Sequence, residues 1–297
     1  MYTAVARSSL AGNSLGVFKL PDELAFTVAR GSGPWLWSAD GRRYVMGAGP
    51  MVLGRAHPRG VSAITEQAAL GAHYYLMNAR AQDLAAKICQ LVPCAESVRF
   101  CSDGSEANFY ALRVARAFTQ RTKILKFDGG FHGHSDYAQQ KSRVEPGHND
   151  QHPMAEAAGI PAEVSETVVI APYNDIGHTR QIVEPIAQDI AAIIVEPVQR
   201  AFVPAPGFLE GLRALANSIG ALLVFDEVVT GFRLALGGAQ EYFGVTPDLC
   251  ALGKILGGGT PLAALAGRAD VLDVVVTGRP NDGRPAMMSG TLNGVIR

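Results

Sequence analysis

Short apolar runs alternate with longer amphipathic stretches over the last two thirds of the chain. Such runs, bounded by turn residues, are typical of buried parallel strands. They predict six strands, at 97–101, 123–127, 167–171, 191–196, 221–226 and 248–253. Between several of them, apolar residues recur every three or four positions and predict helices at 105–118 and 208–219. This alternation predicts an α/β fold with a mainly parallel sheet covered by helices.

The first part of the chain has a different pattern. Residues 35–44 predict a hairpin, with a turn at Asp40-Gly41. Residues 58–92 read as helical, because Pro58 suits a first helical turn and later apolar residues share one face. Residues 138–166 are polar, contain several Pro and Gly and show little periodicity, so we expect a long loop there.

Two of the apolar runs end in an ionisable residue. One run stops at Asp226 and another at Lys254, 28 positions later in the chain (254 − 226). Ligands of open α/β sheets bind beyond the carboxyl ends of the strands, so we expect both groups to face one crevice. Burial of Lys254 would favour its neutral, nucleophilic amine. A pyridoxal 5′-phosphate (PLP) enzyme needs this pairing, an amine for the Schiff base and a carboxylate for the pyridine nitrogen. The simpler interpretations are a surface lysine and a carboxylate that caps the next turn.

Other residues extend this prediction. Gly104 and Ser105 connect a strand to a helix, and the start of a helix binds anions such as the PLP phosphate. The alternative is that Asp103 and Glu106 form an ordinary capping box there. Phe131 offers an aromatic face on which a flat heteroaromatic ring can stack.

A metal site is also conceivable, because His132, His134 and Asp136 follow Phe131 closely. One His-x-His pair without further clustered ligands is weak evidence, and we expect no metal.

Bulk composition limits the class of protein. A hydrophobic content of 48% and a charged content of 18% indicate a globular chain rather than a disordered one. The net charge of −1 gives no reason to expect nucleic acid or an acidic membrane as partner. The four cysteines have no metal-binding spacing, and no apolar run reaches membrane-spanning length. We expect a cytoplasmic protein.

Taken in order, these motifs resemble the class III aminotransferases of the fold-type I PLP enzymes. Within that class the chain is most similar to the subgroup of glutamate-1-semialdehyde 2,1-aminomutase and its aminotransferase relatives. The subgroup resemblance is carried by four strings, at 49–54 (GPMVLG), 172–175 (PYND), 237–240 (GGAQ) and 243–249 (FGVTPDL).

The resemblance implies a role for each matching residue. Lys254 would form the internal aldimine with PLP and then act as general base and acid, and Asp226 would hold the pyridine nitrogen. Phe131 would stack on one ring face in place of the family's usual tyrosine, with Val228 against the ring. The remaining implied residues are Gly104 and Ser105 at the phosphate, Glu196 near the cofactor, and Thr291 at the phosphate of the neighbouring subunit in a homodimer.

The resemblance also implies an organisation and a reaction. Residues 1–45 would form an N-terminal tail plus hairpin, and residues 46–297 the PLP-binding large domain with a seven-stranded sheet. Relatives continue into a C-terminal small domain, which we expect to be missing from this chain. The expected reaction moves an amino group between a small-molecule amino donor and a keto or aldehyde acceptor. The alternatives are the intramolecular aminomutase reaction and a truncated PLP-binding remnant without turnover.

Overall fold

The computed structural model of the protein describes residues 10, 15, 25–47, 51–143, 152–276, 283–291 and 293. The expected N-terminal tail lies largely outside these residues. The chain divides into two units, of which the first comprises residues 1–49 and 53–58 and the second residues 50–52 and 59–297.

A small antiparallel sheet forms the described part of the first unit. Its strands are β1 (Val28–Ser32), β2 (Trp35–Ser38) and β3 (Arg43–Val45), paired in that order. The backbone N–H of Ser38 donates to the carbonyl of Arg42 at 2.9 Å, and Gly41 takes φ +88° in the turn. The predicted hairpin is therefore confirmed.

Two helices form where the sequence predicted one helical stretch. Helix α1 spans Pro58–Leu70 and α2 spans Ala79–Leu91. Gly71 interrupts the stretch at φ +105°, a conformation that glycine adopts without steric cost. Asn78 then starts α2, since its side-chain oxygen accepts a hydrogen bond from the N–H of Ala81 at 2.9 Å.

A seven-stranded sheet forms the centre of the second unit. Its strands are β4 (Ser97–Cys101), β5 (Lys123–Phe127), β8 (Val168–Ala171), β9 (Ile190–Val195), β10 (Leu222–Glu227), β11 (Leu249–Leu252) and β12 (Ala263–Gly267). Helix α3 (Gly104–Thr119) connects β4 to β5. The spatial order is β4-β12-β11-β10-β9-β5-β8. Six strands run parallel and β12 runs antiparallel to both neighbours. All six predicted strands are present, while β12 was missed.

Helices cover both faces of this sheet. On one face lie α3 and the short helix α8 (Ala269–Leu272), followed by a 3-10 turn at 273–275. On the other lie α2, α5 (Ile176–Val183), which continues into a 3-10 turn at 184–189, and α6 (Phe208–Ile219). Helix α7 (Gly238–Phe243) lies between β10 and β11 in sequence. The predicted helices at 105–118 and 208–219 are confirmed.

Strand alternation decides which layer each β10 residue meets. Leu223 and Phe225 belong to the core under α6, and Leu222 and Val224 belong to the core under α3. By the same alternation, Asp226 faces α3. The next residue, Glu227, faces the opposite layer, where its carboxylate accepts the backbone N–H of Gln240 at 3.3 Å.

The segment 138–166, expected as a loop, contains regular structure. Strands β6 (Gln140–Arg143) and β7 (His152–Ala155) pair antiparallel, and a short helix α4 (Ala162–Ser165) follows. The expectation was wrong for the described part of this segment, and residues 144–151 lie outside it. One contact that anchors it comes from β5, where the buried ammonium of Lys126 donates to the carbonyls of Ala138 and Gln140, both at 2.7 Å.

Candidate active site

A cavity of about 750 Å³ opens in the second unit at the carboxyl ends of β10 and β11. Such a position and volume are typical of ligand sites in α/β sheets. Seven of the eight residues predicted from the sequence line it, namely Gly104, Ser105, Phe131, Glu196, Asp226, Val228 and Lys254. The eighth, Thr291, does not.

Asp226 is fixed in the cavity wall by three donors. Its side chain is only 5% exposed. Its Oδ2 accepts a hydrogen bond from Asn108 Nδ2 at 2.7 Å and lies 2.9 Å from His132 Nδ1. Its Oδ1 accepts the backbone N–H of Val228 at 3.1 Å. These donors compensate the cost of burying the carboxylate, so a negative charge can be kept at a fixed point of the cavity.

Two of these donors were missed from the sequence as partners of Asp226. Asn108 is buried on the sheet-facing side of α3, one residue after Ala107 in the predicted apolar face. A buried amide in such a face was a usable signal, because it needs a polar partner across the interface. His132 was considered only as a metal ligand, with His134 and Asp136, and both of those side chains are exposed.

His132, Glu196 and Asp226 do place one potential ligand atom each within 4.8 Å of one another. The oxygens of Glu196 and Asp226 also accept hydrogen bonds from N–H groups, which orient both carboxylates and leave lone pairs on them. The expectation that the chain binds no metal stays a prediction.

Glu196 follows β9 and positions a second wall of the cavity. Its Oε1 accepts the backbone N–H of Phe131 at 2.9 Å, and its Oε2 accepts the backbone N–H of Arg200 at 3.2 Å. Phe131 is 42% exposed, and its ring is available on the cavity side. A flat aromatic ligand can stack there.

The start of α3 lines one side of the cavity, and the first turn of a helix suits an anion. Asp103 Oδ1 accepts the N–H of Glu106 at 2.9 Å, and Glu106 Oε2 accepts the N–H of Ser102 at 2.7 Å. The Asp103 carboxylate thus caps the helix as in a capping box, whereas Glu106 bonds the residue before the N-cap instead of the N-cap N–H itself. The N–H groups of Gly104 and Ser105 belong to the first turn, which has no intrahelical partners for them.

Lys254 lies two residues beyond β11, on the same edge of the sheet as Asp226. Its backbone is left-handed, with φ +46°, which is uncommon for a residue with a side chain. The expected burial was wrong, because the side chain is exposed and lines the cavity. The segment 255–260 that follows forms successive hydrogen-bonded turns.

Thr291 lies elsewhere in the second unit. It is exposed and lines a separate cavity of about 630 Å³, together with Tyr75, Leu76, Met77 and Arg99. Its implied role at the cofactor of a neighbouring subunit stays a prediction.

The donor set of the first cavity matches PLP group by group. An amine is available for the aldehyde, a fixed carboxylate for the pyridine nitrogen, and a helix start for the phosphate. The aromatic ring of Phe131 and the apolar side chain of Val228 suit the two ring faces.

Comparison with known proteins agrees with this geometry. The sequence pattern of the family described as aminotransferase class-III matches residues 19–294. The chain therefore belongs to this family, whose enzymes use PLP. In the described part of the chain, no helix combines the length and apolar character needed to cross a membrane.

The chain is similar to a glutamate-1-semialdehyde 2,1-aminomutase from Symbiobacterium thermophilum, with 44% identity over 273 residues, or 90% of this chain and 61% of that protein. It is also similar to the crystal structure of an ω-transaminase from Sphaerobacter thermophilus, with 36% identity and a TM-score of 0.83. A structure described as a transaminase with PLP bound has 30% identity and a TM-score of 0.82. Each structural match covers 91% of this chain and 63% of the other.

These matches confirm the α/β fold of the PLP transferases, with its mainly parallel sheet. The chain spans less than two thirds of the length of each of these relatives.

Proposed function

We propose that this chain binds PLP in the first cavity and forms the cofactor site of an enzyme that moves an amino group from an amino donor to a keto or aldehyde acceptor. One observation carries the proposal. Asp226 and Lys254 come from the ends of two adjacent parallel strands and line the same cavity. An acid and an amine in that relation suit the two ends of one flat cofactor.

Lys254 would bind the cofactor aldehyde through its amine and then carry a proton to and from the substrate carbon. When bound, PLP supplies an electron sink for the bond broken at that carbon. Asp226 would hold the proton on the pyridine nitrogen, because Asn108 and His132 stabilise its negative charge.

The remaining residues would hold the cofactor in place. Phe131 and Val228 would cover its two faces, and Glu196 would keep Phe131 in position through the backbone hydrogen bond. Gly104 and Ser105 would bind the phosphate through the N–H groups of the first turn of α3.

Cofactor binding is tested on the purified full chain with added PLP. We expect a visible absorption band, fixation of PLP to Lys254 by borohydride, and recovery of the modified peptide by mass spectrometry. The Lys254→Ala variant should lose both signals, while Lys141→Ala, which removes an exposed lysine of β6, should keep them. A wild-type protein that remains colourless and unmodified refutes the proposal.

Turnover is tested separately on the loaded protein. Amino donors should convert the cofactor to its amino form, and an added keto or aldehyde acceptor should restore the original band and yield an aminated product. Loaded protein that releases no product with any donor identifies a cofactor-binding chain without turnover.

The second candidate reaction is the glutamate-1-semialdehyde 2,1-aminomutase reaction. The observation that favours it is the 44% identity with the Symbiobacterium thermophilum protein of that name. Formation of 5-aminolevulinate from glutamate 1-semialdehyde, without any second substrate, would establish it.

The partner proposed for this chain is a second copy of itself, in which Thr291 reaches the neighbouring cofactor. Tyr75, Leu76 and Met77, which adjoin Thr291 at the second cavity, are 78–79% exposed, and apolar surface of this kind favours association.

Mixing two inactive variants tests the dimer. A dimer of one Lys254→Ala chain and one Thr291→Ala chain has one site with both defects and one intact site. Mixed dimers should therefore bind PLP tightly at one site, whereas neither variant alone does. If Thr291 serves its own subunit, mixing restores nothing.

A further inference from the structure

His132 contacts Asp226 with one ring nitrogen, and its other ring nitrogen has no partner among the described residues. The residue is only 1% exposed, and its Nδ1 lies 2.9 Å from Asp226 Oδ2. No described residue forms a hydrogen bond with its Nε2, although this atom is buried as well. A buried polar atom costs free energy unless water or another group satisfies it, so Nε2 requires a contact that is still to be assigned.

Gln199 is firmly held and also has an unused polar atom. Its Nε2 donates to the carbonyl of Asp128 at 2.7 Å, which fixes the orientation of the side-chain amide. Its backbone N–H and carbonyl both bond Phe202, at 3.0 and 2.8 Å. The residue is 5% exposed, and no described residue donates to its Oε1. This oxygen is therefore a buried acceptor in a fixed place, and it needs a donor.

The two unused atoms meet beside Gly130. A Cβ on this glycine would lie 3.1 Å from His132 Nε2 and 3.3 Å from Gln199 Oε1. The next nearest contact would be the carbonyl oxygen of Phe127 at 3.0 Å, so the side of Gly130 that lacks a side chain is polar. Nε2 and Oε1 do not bond each other, but both lie near enough to this point for one water molecule to bridge them with bonds of about 2.8–3.0 Å.

We infer that a water molecule binds between His132 and Gln199, and that through it Gln199 holds His132 in the tautomer that donates to Asp226. Gln199 Oε1 can only accept, so the water donates one hydrogen to it and the other to Nε2 of the imidazole. Nε2 is then unprotonated, and the ring hydrogen is on Nδ1, directed at the Asp226 carboxylate. Gln199 is thus a positioning residue that acts on Asp226 through the water and His132.

The consequence for the cofactor rests on the proposed function, whereas the tautomer of His132 does not. Without the Gln199 oxygen the water loses one of its two acceptors, and the hydrogen can move from Nδ1 to Nε2. Nδ1 would then direct a lone pair at the Asp226 carboxylate, which loses a donor. A carboxylate with one donor fewer holds the proton of the pyridine nitrogen less well, so PLP should bind more weakly.

The test measures the tautomer directly, by long-range ¹H–¹⁵N correlation spectra of the full chain labelled in its imidazole nitrogens. The His132 signals are assigned by replacing the histidines one at a time. Gln199→Leu removes the acceptor, and Gln199→Glu restores an acceptor without the donor to Asp128. Gln181→Leu, at an exposed glutamine of α5, is the matched control. Spectra are recorded without PLP, and the dissociation constant of PLP is then measured from its absorption band.

Wild type and Gln181→Leu should show the hydrogen of His132 on Nδ1 and an unprotonated Nε2. Gln199→Leu should shift the hydrogen to Nε2 and weaken PLP binding on the order of tenfold, the effect of one hydrogen bond to a charged group. Gln199→Glu should keep the hydrogen on Nδ1 and bind PLP more tightly than Gln199→Leu. Because both variants lose the bond to Asp128, a merely structural role of Gln199 would affect them equally.

Three results would overturn the inference. The hydrogen could lie on Nε2 in wild type, or Gln199→Leu could leave it on Nδ1, and in both cases Gln199 does not set the tautomer. A changed tautomer with unchanged PLP affinity would remove the positioning role at the cofactor. Wild type that takes up no PLP refutes the proposed function instead, while the spectra without PLP still decide whether Gln199 controls His132.

Discussion

The substitution Gly104→Ala tests whether the first residue of α3 must be glycine because of its neighbour. A Cβ at Gly104 would lie 2.7 and 2.8 Å from the two methyl carbons of Val228 and 3.3 Å from its Cβ. Ordinary carbon contacts lie at about 3.5–4.0 Å. Rotation of Val228 cannot relieve the overlap, because both methyl groups and the Cβ are already too close and its χ1 is stiff.

Two opposing terms set the expected magnitude. Replacing a helical Gly by Ala stabilises a helix by at most about 1 kcal/mol. Inserting a methyl group into packed surroundings costs about 1–3 kcal/mol. The overlap at Gly104 involves three atoms of one branched side chain, so the steric cost should win. We expect a net loss of about 1–2 kcal/mol in the free energy of unfolding, the opposite of what helix propensity alone predicts.

Urea unfolding of the PLP-free chain, followed by circular dichroism, measures this change. Gly60→Ala is the matched control, because Gly60 lies in the first turn of α1 and its added Cβ would meet nothing within 4 Å. We expect Gly60→Ala to be neutral or stabilising. In the background Val228→Ala, Gly104→Ala should become nearly neutral, which a double-mutant cycle reveals. A Gly104→Ala protein as stable as wild type would refute the reasoning.

Two further predictions concern buried charges. Lys126→Met removes both hydrogen bonds to the carbonyls of Ala138 and Gln140. It should lower the free energy of unfolding by about 2 kcal/mol, because each unsatisfied carbonyl costs about 1–3 kcal/mol and removal of the buried ammonium offsets part of that cost. Urea unfolding measures the change, and an unchanged midpoint would contradict the prediction. Burial raises the pKa of Glu227 above 4.5, so the folded state holds this proton more tightly and stability should fall as pH rises from 4.5 through the folded pKa. Glu227→Gln should lack this component, and equal pH slopes for the two proteins in urea unfolding would contradict it.

The strands were predictable where apolar runs are rich in branched residues. β9 reads Ile-Ala-Ala-Ile-Ile-Val and β10 begins Leu-Leu-Val-Phe, and both were found within one residue of their predicted bounds. β12 reads Ala-Ala-Leu-Ala-Gly, whose small side chains have low strand propensity. It forms because it fills the gap between β4 and β11, a tertiary effect that no local pattern displays.

The site was predictable in its ionisable residues and less so in their surroundings. Asp226 and Lys254 stand out because each ends an apolar run. The partner Asn108 is 118 positions from Asp226 in sequence, and only the packing of α3 on β10 brings them together. Lys254 and Arg200 both have left-handed backbones. The apolar and polar pattern of the sequence does not specify such a backbone conformation, so it did not predict that the two side chains are exposed.

The side-by-side acids of β10 have a consequence for how this segment can change in evolution. Asp226 faces α3 and Glu227 faces α7. Which helix each carboxylate contacts therefore depends only on the alternation of side chains along the strand. Removing or adding one residue in β10 would exchange the two carboxylates between layers, although the composition would hardly change. We therefore expect related sequences to show substitutions in this strand but almost no gaps, and length changes to accumulate in connections such as the segment between β6 and β7.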